Sequence, residues 1–88
     1  MPERDDPETG MVDDFEELVR LLVDQPDEVE VTEIPNKRGG GILELKVAPD
    51  DLGKVIGRQG RTARALRTLL ETHEDRRGVR YELEILED

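Results

Sequence analysis

The chain of 88 residues contains no cysteine, serine or tryptophan and a single histidine, His73. Without cysteine, neither disulfide bonds nor thiolate metal sites can stabilise the fold. The residues that are present offer no recognisable set of nucleophile, base and orienting group. These absences predict a protein that is not an enzyme and that holds neither a metal nor another cofactor.

Long apolar stretches are also absent. No run approaches the roughly 18 residues that a membrane-spanning helix requires, and residues 1–10 (MPERDDPETG) lack the apolar segment of a secretory signal. These ten residues combine acids, prolines and a glycine with almost no apolar side chain, which predicts a disordered acidic tail. Residues 11–88 are then sufficient for one small domain.

The charges are distributed unevenly along the chain. Residues 1–36 contain thirteen acidic side chains against two arginines, whereas residues 37–67 contain eight basic side chains against three acidic ones. The formal net charge of -10 therefore conceals a basic segment. Because local potential rather than total charge selects a binding partner, an anionic ligand is compatible with this acidic chain.

Hydrophobic periodicity predicts three helices and three strands. The predicted elements, in chain order, are a helix over 11–25, strands over 28–34 and 42–48, helices over 51–56 and 61–72, and a strand over 79–85. The apolar stripe of the third helix includes Leu66, Leu69 and Leu70. Asp50 or Asp51 is placed to cap the second helix.

The order of these elements, α-β-β-α-α-β, predicts an α+β fold. A short loop joins the first two strands as an antiparallel hairpin, whereas about thirty residues separate the second strand from the third, enough for a crossover that makes them parallel. Three helices packed on one face of a three-stranded mixed sheet would bury all the apolar stripes together. The opposite face, which carries Glu44, Lys46, Glu82 and Glu84, is expected to be solvated.

A corner bracketed by glycines, VIGRQGR at residues 55–61, joins the second and third helices. Because glycine has no Cβ atom, Gly57 and Gly60 permit unusual dihedral angles and the close approach of another backbone. The corner leads into a helix N-terminus, where unpaired N–H groups favour anions. Its basic side chains are Lys54, Arg58, Arg61, Arg64 and Arg67. A phosphodiester backbone is the natural ligand of such a corner, although a simple connector with solvated arginines would have the same sequence.

The stretch LGKVIGRQGRTARALRTLL, at residues 52–70, resembles the central segment of a KH domain. The element order is similar to the type II, or prokaryotic, KH arrangement, and the resemblance extends over about residues 11–86. As a whole the chain resembles the small bacterial RNA-binding proteins with a single KH domain, the KhpA or YlqC family. The acidic tail lies outside that pattern.

The resemblance implies a site that clamps about four nucleotides of single-stranded RNA against the GXXG loop. The residues that it assigns to this site are Gly57, Arg58, Gln59 and Gly60 in the loop; Lys54, Arg61 and Arg64 beside it; Gly53, Val55 and Ile56 in the floor of an adjacent groove; and Lys37 and Arg38 on the opposite lip. The floor of the groove is expected to face the second strand, so that the bases meet aliphatic surface.

The scarcity of aromatic residues separates this prediction from other nucleic-acid-binding modules. Phe15 and Tyr81 are the only aromatic residues, and both fall on predicted core faces. Because RNA-recognition sheets and OB-fold grooves stack bases on exposed aromatic side chains, neither is expected here. The absence of cysteine excludes a zinc knuckle.

We therefore expect a cytoplasmic RNA-binding protein, acting as a post-transcriptional regulator or an RNA chaperone. Because one KH domain makes few contacts, its binding would be weak and salt-dependent. The resemblance also implies a homodimer and partnership with a larger KH-containing RNA-binding protein of the KhpB (Jag-like) kind. Two other hypotheses stay open, a protein-interaction adaptor that uses the acidic first helix and a single-stranded DNA-binding protein.

Overall fold

The computed structural model describes residues 10–37, 40–72, 78 and 80–87. Its helices are α1 (Gly10–Leu22), α2 (Leu52–Ile56) and α3 (Arg61–Thr72), and its strands are β1 (Glu30–Pro35), β2 (Gly41–Lys46) and β3 (Tyr81–Ile85). Gly10, which was predicted to end the tail, is the first residue of α1. The rest of the predicted tail, at residues 1–9, lies outside the described residues, as do Arg38 and His73.

The three strands form one mixed sheet in the order β1-β2-β3. β1 and β2 are antiparallel, with Val31 opposite Leu45, and β2 and β3 are parallel, with Leu45 opposite Ile85. The connection from β2 to β3 contains α2 and α3. These observations confirm the predicted α+β fold and its three-stranded mixed sheet.

One face of the sheet carries the hydrophobic core. Burial alternates along β2 and β3, so that every second side chain meets the helices. The largest side chains that are fully enclosed include Tyr81, Leu43, Leu45, Leu70, Val19 and Val55. On the opposite face Lys46, Glu82 and Glu84 are exposed, as predicted, whereas Glu44 is half-buried. None of the helices in the described part of the chain combines the length and the apolarity that crossing a bilayer requires.

Two details of the helical stripes differ from the predictions. The spacing of Phe15, Leu18, Val19 and Leu22 predicts one apolar stripe on the first helix. Leu22 is nevertheless 38% exposed at the end of α1, whereas the next residue, Val23, is buried. On α3 the buried side chains are Ala63, Leu66 and Leu70, whereas Leu69 is 37% exposed. In a helix with 3.6 residues per turn, Leu69 cannot point in the same direction as the three buried residues. Leu69 therefore lies at the edge of the apolar stripe.

The segment between α1 and β1 forms a turn rather than the beginning of the strand. Residues Pro26–Glu28 adopt one turn of 3-10 helix, closed by the N–H of Val29, which donates to the carbonyl oxygen of Pro26 at 3.2 Å. Proline is suited to the first position of a helical turn because it has no N–H to satisfy. β1 therefore begins at Glu30 instead of the predicted residue 28.

Asp51 does not cap α2 with its side chain, as had been predicted for Asp50 or Asp51. Although Asp51 occupies the N-cap position, no side-chain capping hydrogen bond forms. Its carboxylate instead accepts hydrogen bonds from the backbone N–H groups of Asp24, at 3.1 Å, and Gln25, at 2.9 Å. Asp51 is only 1% exposed, so this carboxylate joins the end of α1 to the beginning of α2 inside the protein.

We predict that Asp51→Asn destabilises the fold by about 2 kcal/mol, because the amide keeps at most one of the two hydrogen bonds and leaves a buried N–H unsatisfied. Urea denaturation followed by circular dichroism measures this change. The matched control is Asp50→Asn, at an exposed position, for which a change within about 0.5 kcal/mol is expected. Equal stability of the two variants would contradict the role of Asp51.

Candidate nucleic-acid interface

Gly57 allows α2 and α3 to meet at a tight corner. It ends α2 with φ 78° and ψ 170°, a backbone conformation that is essentially restricted to glycine, and its N–H donates to the carbonyl oxygen of Gly53 at 2.8 Å. A Cβ atom at this position would lie 2.8 Å from the backbone nitrogen of Thr62. The space beside the Cα atom of Gly57 is therefore occupied by Thr62 of the third helix.

The tip of the corner, in contrast, is open. Residues Arg58–Gly60 form a single 3-10 turn in which Gln59 has φ 57° and ψ 25°, and Gly60 has φ 73°. The side chains of Arg58 and Gln59 are exposed, and a Cβ atom on Gly60 would meet nothing within 4 Å. A left-handed glutamine costs about 1 kcal/mol, and such strain is often found at functional sites.

A groove of about 390 Å³ lies between this corner and the end of β3. Its lining residues are Ile56, Gly60, Ala63, Arg64, Arg67, Ile85 and Glu87. The groove therefore combines an aliphatic floor with two guanidinium groups and one carboxylate at its rim. Its volume is within the range of small-ligand pockets.

The groove faces β3 rather than the predicted second strand. β3 is an edge strand of the sheet, and α3 packs against it. Residues of α3 and the last residue of β3, Ile85, therefore line the groove. Of the two aliphatic residues proposed for the floor, Ile56 lines the groove, but Val55 has no exposed surface and supports it from the core. Gly53 is exposed on α2 and does not line the groove.

The arginines around the groove are available to a ligand. Arg58, Arg61, Arg64 and Arg67 are all exposed, and none of them forms an ion pair with another side chain in the described part of the chain. Lys54 differs, because its Nζ atom lies 3.4 Å from a carboxylate oxygen of Asp24. Its charge is therefore partly neutralised, and the corner depends on arginine.

The proposed opposite lip lies at the other end of the sheet. Lys37 belongs to the loop that joins β1 to β2, and Gly41 at the start of β2 is paired with Tyr81 at the start of β3. Ile85 is four residues further along β3, which corresponds to roughly 13 Å of strand. A nucleic acid that contacts both the corner and Lys37 must therefore extend over about the length of β3. Contact with Lys37 stays a prediction, and Arg38 lies outside the described residues.

Four of the residues that line the groove were not among the predicted site residues. Arg67 was recognised only as a basic side chain near the corner, and Ala63, Ile85 and Glu87 were not assigned to the site. The signal was present in the parallel arrangement of β2 and β3, which brings the end of β3 next to the corner that follows β2. Within the described residues, no three histidine, aspartate or glutamate side chains converge as metal ligands.

An α-β-β-α-α-β fold with a GXXG corner between its second and third helices, beside an aliphatic groove, defines a type II KH domain. The family described as "KhpA/KhpB, KH domain" matches residues 13–85 of the chain. The chain therefore belongs to the KhpA/KhpB KH-domain family.

Relatives named RNA-binding protein KhpA occur in several bacteria. The relative from Streptomyces coelicolor is 57% identical over 69 residues, which are 78% of this chain and 85% of the relative. The relative from Mycobacterium tuberculosis is 60% identical over 68% of this chain and 74% of the relative. The relative from Treponema pallidum is 53% identical over 80% of this chain and 86% of the relative. No solved structure matches the chain significantly.

We predict that Gly57→Ala destabilises the protein by about 2–3 kcal/mol or more, because it adds a contact with Thr62 to the strain of a positive φ angle. The control is Gly60→Ala, which has a similar φ angle but open space around the new methyl group, and for which about 1 kcal/mol is expected. Thermal unfolding measures both. If the two variants unfold at the same temperature, the close approach between Gly57 and Thr62 is not what stabilises the corner.

Proposed function

We propose that this protein binds single-stranded RNA at the corner formed by Gly57–Gly60 and in the groove between α3 and β3. The supporting observation is the combination of an exposed, glycine-terminated turn with four arginines that make no ion pairs within the described part of the chain. The relatives named RNA-binding protein KhpA support the same ligand.

The corner offers two kinds of contact to a phosphate group. The open side of Gly60 allows a sugar-phosphate backbone to approach the main chain, and the N–H groups at the beginning of α3 favour an anion. Arg58 and Arg61 add charge without a competing carboxylate among the described residues. About four nucleotides, as KH domains clamp, would then lie with their phosphates at the corner.

The groove offers the bases an apolar surface and a polar rim. Ile56 and Ile85 would contact the faces of the bases, while Arg64 and Arg67 remain close enough to the groove to neutralise further phosphates. With no exposed aromatic side chain among the described residues, base stacking on protein rings contributes nothing. Modest sequence specificity and modest affinity follow from this chemistry.

In the cell the protein would act in the cytoplasm, without enzymatic activity, as a post-transcriptional regulator or an RNA chaperone. Because a single domain contacts few phosphates, linking two domains would raise the effective affinity strongly. A homodimer, or a complex with a larger KhpB (Jag-like) KH protein, would provide that second domain. The family to which the chain belongs carries both names.

The adaptor hypothesis is supported by a different surface. Leu21 on α1 is 80% exposed, and Asp13, Asp14 and Glu17 on the same helix are exposed acids. None of these residues belongs to the corner or lines the groove, so substitutions at the corner distinguish the two hypotheses. Single-stranded DNA would use the same groove as RNA, and a competition between RNA and DNA of the same sequence distinguishes those two ligands.

We predict that the double variant Arg58→Asp and Gln59→Asp loses more than about tenfold in affinity for short single-stranded RNA, because two phosphate-binding side chains become repulsive. The matched control is Lys46→Asp with Thr32→Asp, which changes the charge equally on the uncovered face of the sheet and should retain most of the affinity. Fluorescence anisotropy measures binding, and circular dichroism verifies folding. Wild-type affinity in a folded corner variant would refute RNA binding at this site and favour the adaptor.

The dependence of RNA affinity on salt concentration provides a second prediction of the proposed function. Each neutralised phosphate of a single strand contributes about −0.7 to the slope of log K against log salt concentration, so the four arginines predict a slope of about −2 to −3. Arg64→Gln should make the slope shallower by about 0.7. The measurement is a titration at several salt concentrations, with amide chemical shifts followed at Gly57–Gly60. A slope near zero, or shifts confined to α1, would contradict the proposed interface.

A further inference from the structure

Glu87 is the only residue with a carboxylate among those that line the groove. It follows β3 by two residues, so the end of the edge strand brings it beside Ile85 and across from the arginines of α3. A carboxylate at the rim of an RNA-binding groove repels phosphates, which lowers the affinity for every RNA. Its presence there calls for a chemical explanation.

The oxygens of Glu87 are available to a ligand. Although Arg64 and Arg67 line the same groove, neither forms an ion pair with Glu87, and Glu87 makes no hydrogen bond to any other described residue. An ionised carboxylate only accepts hydrogen bonds. The groove thus presents two cationic donors and one anionic acceptor, none of which is engaged by the part of the chain that the structure describes.

The four RNA bases differ in what they offer to such an acceptor. Guanine carries two neighbouring donors on its pairing edge, the N1–H and the N2 amino group, which match the two oxygens of a carboxylate. Adenine and cytosine each offer one amino group, and the amino group of cytosine is a known partner of Glu. Uracil presents a single N–H between two carbonyl oxygens, and those oxygens repel the carboxylate.

We propose that Glu87 determines base specificity, selecting guanine over uracil at one position of the bound strand. This inference rests on the proposed function, because it assumes that a base enters the groove. The repulsion between Glu87 and phosphates weakens all complexes, and only a base that donates to both oxygens compensates for it. Specificity is therefore obtained by penalising the wrong base, at the expense of affinity.

The test uses the complete chain and a series of uridine hexamers with one guanosine moved through each position. Wild-type protein should bind one of these hexamers at least about fivefold more tightly than the all-uridine hexamer, the lower end for a bidentate contact to a base. Replacing that guanosine by inosine, which lacks the N2 amino group, should remove most of the preference. Fluorescence anisotropy provides all of these affinities.

Glu87→Gln is the protein variant, and Glu84→Gln on the exposed face of β3 is its matched control. Both remove one negative charge. Glu84→Gln should bind all hexamers slightly more tightly without changing their ratios, whereas Glu87→Gln should gain affinity for the all-uridine hexamer and lose affinity for the preferred guanosine hexamer. Only Glu87→Gln should bring the ratios of guanosine to uridine and of guanosine to inosine close to one. This coupling between Glu87 and the N2 amino group is a double-mutant cycle, which a purely electrostatic effect of the carboxylate does not produce.

The outcomes separate this inference from the proposed function. If wild-type protein binds all the hexamers equally, or if Glu87→Gln retains the preference for guanosine, Glu87 does not select the base and the inference fails, although RNA binding stands. If the double variant at Arg58 and Gln59 binds every hexamer as the wild type does, the proposed function itself fails. Because Glu87 is exposed, its substitution should leave the unfolding temperature unchanged.

Discussion

A buried carboxylate connects the end of α1 to the beginning of α2, the helix that leads into the proposed interface. Asp51 is the one charged side chain enclosed in the described core, and it accepts hydrogen bonds from two backbone N–H groups that lie 26 and 27 residues away in the chain. α2 begins at the next residue and contains only five residues, too few to be stable alone. The position of α2, and therefore of the corner that follows it, depends on this contact with the end of α1.

Binding of an anion by a chain of net charge -10 is possible because the charges are separated in space as well as in sequence. Most acids of α1 and of the uncovered sheet face are exposed to solvent, and none of them lines the groove. At physiological ionic strength charges interact over about 8 Å. The arginines of α3 therefore attract mainly an anion that lies close to them. Lys54, which does lie beside an acid, is the exception, and Asp24 neutralises part of its charge.

The site divides its two glycines between different tasks. Gly57 is needed because the third helix packs against it, whereas Gly60 leaves an open surface where a ligand can approach. Between them, Gln59 adopts a left-handed conformation that a glycine would adopt without strain. A side chain is therefore retained at the tip although it costs conformational energy, which agrees with a tip that contacts a ligand.

Periodicity and spacing were sufficient to predict the six elements, the hairpin and the GXXG corner, because local sequence determines these features. The parallel pairing of β2 and β3 followed from the length of the connection between them. The edge of a helix's apolar stripe was less predictable, because Leu69 fits the spacing of the stripe but is partly exposed. Glu87 was not assigned to the site because nothing near it in sequence marks a binding site; only the predicted parallel pairing of β2 and β3 indicates that the end of β3 lies next to the corner.

The amino-acid sequence by itself determined which segments are helices and strands, where the basic charge is concentrated and where the chain can turn sharply. Only the tertiary structure decided that Asp51 bonds to the end of α1 instead of capping α2 with its side chain, that Ile56 and not Val55 reaches the groove, and that β3 forms the other wall. These choices depend on contacts between residues distant in the chain, whose relative positions are set by packing of the whole core.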